Sequence, residues 1–476
     1  MDACLGSLRS QVLIGSVDTM TCWGRNPRRC DREGLRASCT REFAACQEEA
    51  KMKNSRTFQS IIALASSLGC LLAGSVSAGE WTLVGARYQG MGGAGVATVN
   101  DSLAPYWNPA ALAMAQSYDG VLNFDIMASI EGDVLEVIDN LEDSQGEVEA
   151  ALDRLESGGV LSADDEATLD ELLVELERLG DDGTGVLGTG TAGLNMRWKN
   201  YAVFSRAHTE FAIDPTYDDQ NQEFVVDTEP DSLLNNESGA RVRGLGVIES
   251  GVGYGHSFFD GLLSVGANLK YMHGITYTKY VGYRTIDEAE LDFGDSNLRE
   301  ESGSFGLDIG LMSKPFDFLQ VGLVARNVNS PKFTTGRDPL DPNGRKNFTM
   351  DAQVRMGAAF FPFSNDMLVI ATDLDLTENE SDLLSGYKSR LWSLGAEYKI
   401  PIKVVSIALR AGGYMNAASG ADHAFVLTGG LGLKVWLLTL DLAGGASPAQ
   451  ADIKANGDKY PTRLNFSAVL GIRGNF

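Results

Sequence analysis

Hydrophobic and polar residues alternate with period two over much of this chain, most cleanly at its end. In residues 464–476, Leu464, Phe466, Ala468, Leu470, Ile472 and Phe476 share one face. Asn465, Ser467, Gly471, Arg473 and Asn475 share the other, with Val469 the exception. A strand that is apolar on one face and polar on the other suits a transmembrane barrel, with lipid outside and water inside. Similar alternation marks fourteen candidate strands, at 116–130, 191–199, 201–213, 240–257, 262–280, 303–314, 318–328, 351–362, 367–376, 389–400, 403–415, 423–433, 435–444 and 464–476.

A strand of a soluble sandwich alternates too, so the connections discriminate better. They are short at 200, 258–261, 315–317, 363–366, 401–402 and 434, and long and polar at 214–239, 281–302, 329–350, 377–388, 416–422 and 445–463. Short turns at one end and long loops at the other form the pattern of bacterial barrels. Aromatic residues gather beside the short turns: Trp198, Tyr201, Phe258, Phe259, Phe316, Phe318, Phe360, Phe361 and Trp436. They predict one interfacial girdle.

The period becomes helical only in 131–182. There Val134, Leu135, Ile138 and Leu141, then Val148, Ala151, Leu152 and Leu155, then Leu169, Leu172, Leu173, Leu176 and Leu179 mark narrow apolar stripes. Ser162, with Asp165 three residues on, can cap the last helix. The segment holds 19 Asp and Glu against two Arg, a net charge of -17. It predicts a small helical hairpin or trio with a solvated acidic face, and it lacks the spacing of a calcium-binding loop. With both termini on the periplasmic side, strand parity puts this insert outside the cell.

Composition narrows the function. A net charge of -25 argues against nucleic-acid binding, and a mean hydropathy of -0.09 argues against a bundle of membrane helices. All six cysteines (Cys4, Cys22, Cys30, Cys39, Cys46 and Cys70) precede residue 71. Met52, Lys53 and Arg56 begin a basic stretch, residues 61–72 are apolar, and Val76, Ser77 and Ala78 are small or β-branched, which is the layout of a secretory signal peptide. The reading is that Met52 is the true start, that 1–51 is an upstream extension, and that 52–78 is removed. The mature chain then has no cysteine, as suits an oxidising periplasm. A cysteine-rich N-terminal domain is the rival, but its spacings match no zinc pattern. A lipoprotein signal ending at Cys70 would want Leu where Ser67 stands.

Residues 79–115 are the most motif-like: Ala86-Arg87-Tyr88-Gln89-Gly90-Met91-Gly92-Gly93-Ala94, then Asn100-Asp101, then Trp107-Asn108-Pro109-Ala110-Ala111-Leu112. No βαβ context accompanies the glycines, so a phosphate-binding loop is disfavoured. They predict close backbone packing, then a Pro-led turn into a short Ala-rich helix. This combination, with the C-terminal Phe, resembles the fatty-acid-porter (FadL-like) outer-membrane superfamily, and most closely its conjugal-transfer TraF-like branch. The resemblance implies a 14-stranded barrel in the outer membrane of a Gram-negative bacterium, here 116–476, plugged by an N-terminal hatch at 79–115. It implies hatch or gate roles for Arg87, Met91, Gly92, Gly93, Asp101, Asn108, Pro109 and Ala110. It also implies a hydrophobic or amphipathic small-molecule ligand, and that Phe476 is read by the barrel assembly machinery.

On the polar faces of the strands, Lys270, Asp308, Arg326, Arg355, Asp373, Glu397, Arg410, Asp441 and Arg473 are expected to point inward and to pair, since a lone buried charge is costly. Such a lumen is not an open ion pore. The four histidines, His208, His256, His273 and His423, lie in or beside different strands with no triad-like spacing. No catalytic residue, metal or cofactor is expected, and a monomer surrounded by lipid is the simplest state. A second function remains open: a surface barrel that docks a partner through its acidic insert.

Overall fold

The computed structural model describes residues 76–77, 79–114, 118–225, 231–283, 298–336, 347–363, 366–421, 425–453 and 458–474. The signal-peptide expectation (save Val76–Ser77), the cysteines, His423 and Phe476 lie outside these residues.

Fourteen strands close into one barrel. In chain order they are β1 (Tyr118–Glu131), β2 (Gly185–Trp198), β3 (Tyr201–Thr216), β4 (Gly239–Phe258), β5 (Leu263–Gly282), β6 (Arg299–Phe316) and β7 (Leu319–Arg326), followed by β8 (Gln353–Phe360), β9 (Leu368–Asp375), β10 (Leu391–Ile402), β11 (Val405–Asn416), β12 (Phe425–Val435), β13 (Leu438–Ala446) and β14 (Arg463–Gly474). Each pairs antiparallel with its sequence neighbours, and β14 closes the ring on β1, from Tyr118 opposite Gly474 to Ser129 opposite Arg463. Closure leaves no unpaired edge, which is what lets strands cross lipid. All fourteen strands expected from the alternation are present.

Side-chain parity follows the pattern. Along β1, Leu122, Phe124 and Ile126 are exposed on the outside, while Asp119, Asn123 and Asp125 are buried on the inside. Along β14, Leu464, Phe466, Leu470 and Ile472 face out, and Arg463, Asn465 and Ser467 face in. Val469 faces inward and is buried in the main apolar cluster, against the segment that fills the ring. The inner face is therefore apolar in patches, wherever it meets that segment.

The short connections are tight. Lys199, Lys403 and Trp436 take left-handed backbone conformations (φ 53°, 50° and 55°), as close two-residue hairpins require. Trp198, Tyr201, Phe259 and Trp436 stand exposed around this end, and Phe316 stacks on Phe318 at 5.2 Å. Phe361 departs from the expected girdle: it is half-buried against the cluster around Met91.

At the opposite end, 131–182 forms a hairpin of two helices rather than three, α3 (Val134–Glu156) and α4 (Ala163–Leu179); α1 and α2 are short helices inside the ring, described below. Its seam of Ala151, Leu152, Leu155, Leu169, Leu172 and Leu176 also takes in Leu233 and Leu234 from a neighbouring loop. Ser162 and Asp165 form a complete capping box on α4. The 327–352 connection folds back as a small hairpin, Lys332–Thr334 against Asn347–Thr349, which buries Phe333 and Phe348 beside Leu383 and Leu384.

Candidate functional site

Residues 79–114 lie inside the ring. This segment has two four-residue helices, α1 (Ala86–Gln89) and α2 (Ala104–Trp107), and a 3-10 turn at Pro109–Ala113. Trp81, Val84, Ala86, Tyr88, Met91, Ala104, Trp107, Asn108, Ala110 and Leu112 are fully buried. Strands surround the segment, so its buried polar groups must find partners within it or on the wall.

Arg87 reaches β10. Its Nη2 donates to Glu397 Oε1 at 2.9 Å, its Nε lies 3.1 and 3.2 Å from the two Glu397 oxygens, and its Nη1 donates to Asn100 Oδ1 at 2.9 Å. Glu397 also accepts from Arg410 Nε at 2.8 Å and lies 3.1 Å from Lys399 Nζ; Arg410 in turn meets Asp441 at 2.6 Å. Three cations thus share one fully buried carboxylate.

The wall carboxylates also grip the segment's backbone. Asp373 Oδ2 accepts from the Gly95 and Val96 amides, each at 2.8 Å. Asp125 Oδ1 accepts from the Gly85 amide at 2.8 Å, and Asp119 accepts from the Ser102 amide. Arg326 and Arg355 stack on aromatic rings of the segment: Arg326 lies 4.1 Å from the Tyr106 centroid and Arg355 lies 5.3 Å from that of Trp81. Arg473 Nη2 donates to Asn100 O at 2.7 Å. Lys270 bridges Glu249 and Asp308, each at 3.1 Å, and Arg206 meets Glu249 at 2.8 Å.

The remaining motif residues cluster in the same segment. Asn108 is fully buried: its Nδ2 donates to Val96 O (3.2 Å) and to Leu311 O of β6 (3.0 Å), and its Oδ1 accepts from the Ala110 amide (3.1 Å). Pro109 starts the 3-10 turn that Asn108 caps. Gly310 and Gly322 leave the wall open here, since a Cβ on either would lie 2.1 Å from Asn108 Oδ1 or 3.0 Å from its Nδ2. Gly92 has φ +64° and presses on β11, where a Cβ would come within 2.3 Å of Gly413 O. Gly93 (φ +86°) packs on Leu83 and Ser393 instead. Met91 fills a pocket with Ala94, Ala97, Ala359, Val369 and Ala371. Asp101 accepts from the Tyr88 hydroxyl at 2.8 Å.

Every lumen residue named from the sequence is therefore on the inner side, but they form several groups rather than one site. Lys270 and Asp308 pair, as do Glu397 and Arg410; Arg355 lies 3.7 Å from Asp373; Arg326 and Arg473 bind the segment itself. Sequence reasoning missed Asp119, Asp125, Arg206 and Glu249. The inward parity of β1, β3 and β4 would have shown them. His208 meets Glu210 at 2.6 Å. Among the described residues, no group of three or more His, Cys, Asp and Glu side chains could hold a metal ion.

Two cavities lie at opposite ends of the ring, and of these only that at the short-turn end is lined by the segment itself. One of about 390 Å³, at the long-loop end, is bordered by Arg243, Tyr277, Phe348, Leu383 and Tyr387. The other, of about 310 Å³ at the short-turn end, is bordered by Arg87, Glu397, Lys399, Arg410, Lys434 and Arg473.

The family model described as "F plasmid transfer operon, TraF, protein" matches residues 105–375, more than half of the chain. The chain belongs to this TraF family. The match runs from the second half of the inner segment through β9. No curated protein matches the sequence. Among solved structures, this TraF-family barrel is similar to the toluene transporter TodX of Pseudomonas putida, with 14% identity and TM-score 0.47 over 85% of this chain and 100% of that one. It is also similar to the toluene transporter TbuX of Ralstonia pickettii (14%, 0.43, 82% and 98%) and to a FadL homologue of Pseudomonas aeruginosa (12%, 0.42, 83% and 99%).

Proposed function

We propose that this protein is a gated outer-membrane channel for hydrophobic or amphipathic small molecules, with residues 79–114 as its movable closure. The carrying observation is that residues 79–114 fill the ring between a cavity beneath the long loops and a second cavity at the short-turn end that the segment itself lines. A ligand from outside binds beneath the long loops, beside Phe348, Leu383 and Tyr387. Displacement of the segment then joins the two cavities into a path. The ligand class, fatty-acid-like, follows from the resemblance of the 87–113 motif to the fatty-acid porters. Lipid surrounds the apolar outer face, and the acidic hairpin lies on the outer side of the membrane.

Uptake of a labelled long-chain fatty acid by cells lacking their own porter tests this reading. Asn108→Ala removes one bond to β6 and two within the segment, so it should change uptake several-fold while the barrel still assembles. Equal loss of folded barrel and of uptake would count against gating.

A second reading draws on the hairpin, whose apolar seam closes on its own loop partners and leaves its acidic faces to solvent. On this reading the hairpin docks a partner during cell contact or transfer. Deleting 131–182 separates the two: loss of a cell-level phenotype with uptake intact favours docking.

A further inference from the structure

The inner segment begins in a buried environment where carboxylates outnumber cations. Glu210 is 8% exposed, and its only ion-pair partner among the described residues is His208. Beside it, Glu80 and Glu131 share a single arginine, Arg463, at 3.5 and 2.6 Å. Glu80 Oε1 and Thr189 Oγ1 are buried with no hydrogen-bond partner, and both residues border a void of about 20 Å³ that also touches Glu210. Three carboxylates, one arginine and two orphaned acceptors leave room for a small, multiply donating cation.

Gly79 lies against the same Glu210 carboxylate. A Cβ on Gly79 would lie 2.5 Å from Glu210 Oε2 and 2.9 Å from Oε1, so the Gly79 Cα rests against this carboxylate. The nitrogen on the same Cα is about 1.5 Å from it, which keeps it within about 5 Å of the carboxylate. The Gly79 carbonyl is fixed by Gln353 Nε2 at 2.6 Å. While residue 79 is joined to Ala78 its nitrogen is an uncharged amide. Released, it is an α-ammonium with three donors, protonated at neutral pH because its usual pKa is about 8.

We propose that the mature protein begins at Gly79 and that its α-ammonium group is a structural cation, seated against Glu210 inside the barrel. Water hydrolyses the Ala78–Gly79 peptide bond under a signal-peptide-cleaving protease. The Ala78 carbonyl carbon takes the hydroxide, the Gly79 nitrogen takes the proton, and a second proton from solvent completes the ammonium. At the long-loop end Glu80 meets Arg463 and accepts from the Tyr387 hydroxyl, which fixes the chain one residue after the proposed start. A side chain at 79 would push the Glu210 carboxylate aside. A chain starting at Glu80 would lose the cation.

The full chain, expressed from Met52 in Gram-negative cells and purified as an assembled barrel, is measured by intact mass and by N-terminal peptide mapping. The expected start is Gly79. The folded barrel is then treated at neutral pH with an amine-reactive reagent. The Gly79 α-amine should label at least tenfold more slowly than in the unfolded chain, and Glu210→Gln should remove most of that protection. Should Glu210→Gln not assemble, Glu210→Asp is compared instead, with faster labelling again expected. A start at any other residue overturns the proposal. So does an α-amine that labels equally fast folded and unfolded, or at the wild-type rate in the Glu210 variant.

Discussion

Glu397→Gln tests how the inner segment is held. The substitution keeps the side chain's shape and removes its charge from a position where Arg87, Arg410 and Lys399 converge. The three cations do not suffer equally. Arg410 keeps Asp441 at 2.6 Å, and the Lys399 side chain is 32% exposed, so water takes over part of its partner's role. Arg87 is 9% exposed and has no second carboxylate in an ion pair among the described residues. Breaking a buried pair by removing one partner costs about 3–5 kcal/mol, and the lower end applies here because two of the three cations are rescued. About 3 kcal/mol is a hundredfold or more in the equilibrium for releasing the segment. Arg87→Ala should cost less, about 2 kcal/mol, because Glu397 retains Arg410 and Lys399. Hydrogen–deuterium exchange of residues 86–100 in reconstituted barrels reads both changes directly. The expected result is faster exchange in the segment, larger for Glu397→Gln, with the paired amides of β1 and β14 unchanged. Equal loosening of segment and wall would refute the reasoning, since the network would then brace the barrel rather than hold its contents.

Three further outcomes follow from local geometry. Gly92→Val places a branched side chain at φ +64° against the Gly413 backbone. Overpacking of this kind costs about 1–3 kcal/mol, so the segment should seat poorly and planar-bilayer conductance should rise; unchanged conductance would count against close seating. Leu172→Ala opens the α3–α4 seam at a cost of about 2–5 kcal/mol, and circular dichroism should show lost helix while the barrel signal stays. Ser162→Ala removes half of the α4 capping box and should cost about 1 kcal/mol of hairpin stability. The Asp165 carboxyl sits below its usual pKa because it accepts the Ser162 amide, with Arg154 beside it. Its contribution is therefore present above the ordinary carboxylate range and lost as pH falls through the depressed value. Helicity of the hairpin should drop on acidification, and that acid sensitivity should shrink in Asp165→Asn.

The strands were legible because a closed wall with an apolar outer face and a polar inner one forces alternation, and the hairpin was legible because its seam repeats at helical spacing. What the sequence withheld is long-range pairing. Arg87 and Glu397 are 310 positions apart, and nothing local marks them as partners. Asp125 and Asp119 look like ordinary polar-face residues, yet they bind the amides of Gly85 and Ser102. The 332–334 and 347–349 strands are three residues each, too short to show a period, so the reading left 329–350 as a polar loop. Val469 broke the alternation for a reason visible only with the segment in place.

The mixture of contacts bears on how the segment could move. Apolar contact tolerates sliding, because its energy depends on area and has no direction. Hydrogen bonds do not tolerate it, weakening steeply once donor and acceptor are displaced or misaligned. Here the aromatic cluster of Trp81, Tyr106 and Trp107 supplies area, while Asp373, Asp125, Glu397 and Asn108 fix position at separate points along the segment. A segment held this way has a defined seat and a step-like release. Each anchor lost exposes a buried carboxylate or amide that must be rehydrated before the next can part. The 310 Å³ cavity at the short-turn end is lined by Arg87 and Glu397 together with the more exposed Lys399 and Asp441. On the proposed gating, release from that side would begin at this network, and a larger rise in exchange at 86–100 for Glu397→Gln than for the Asn108 substitution would be its signature.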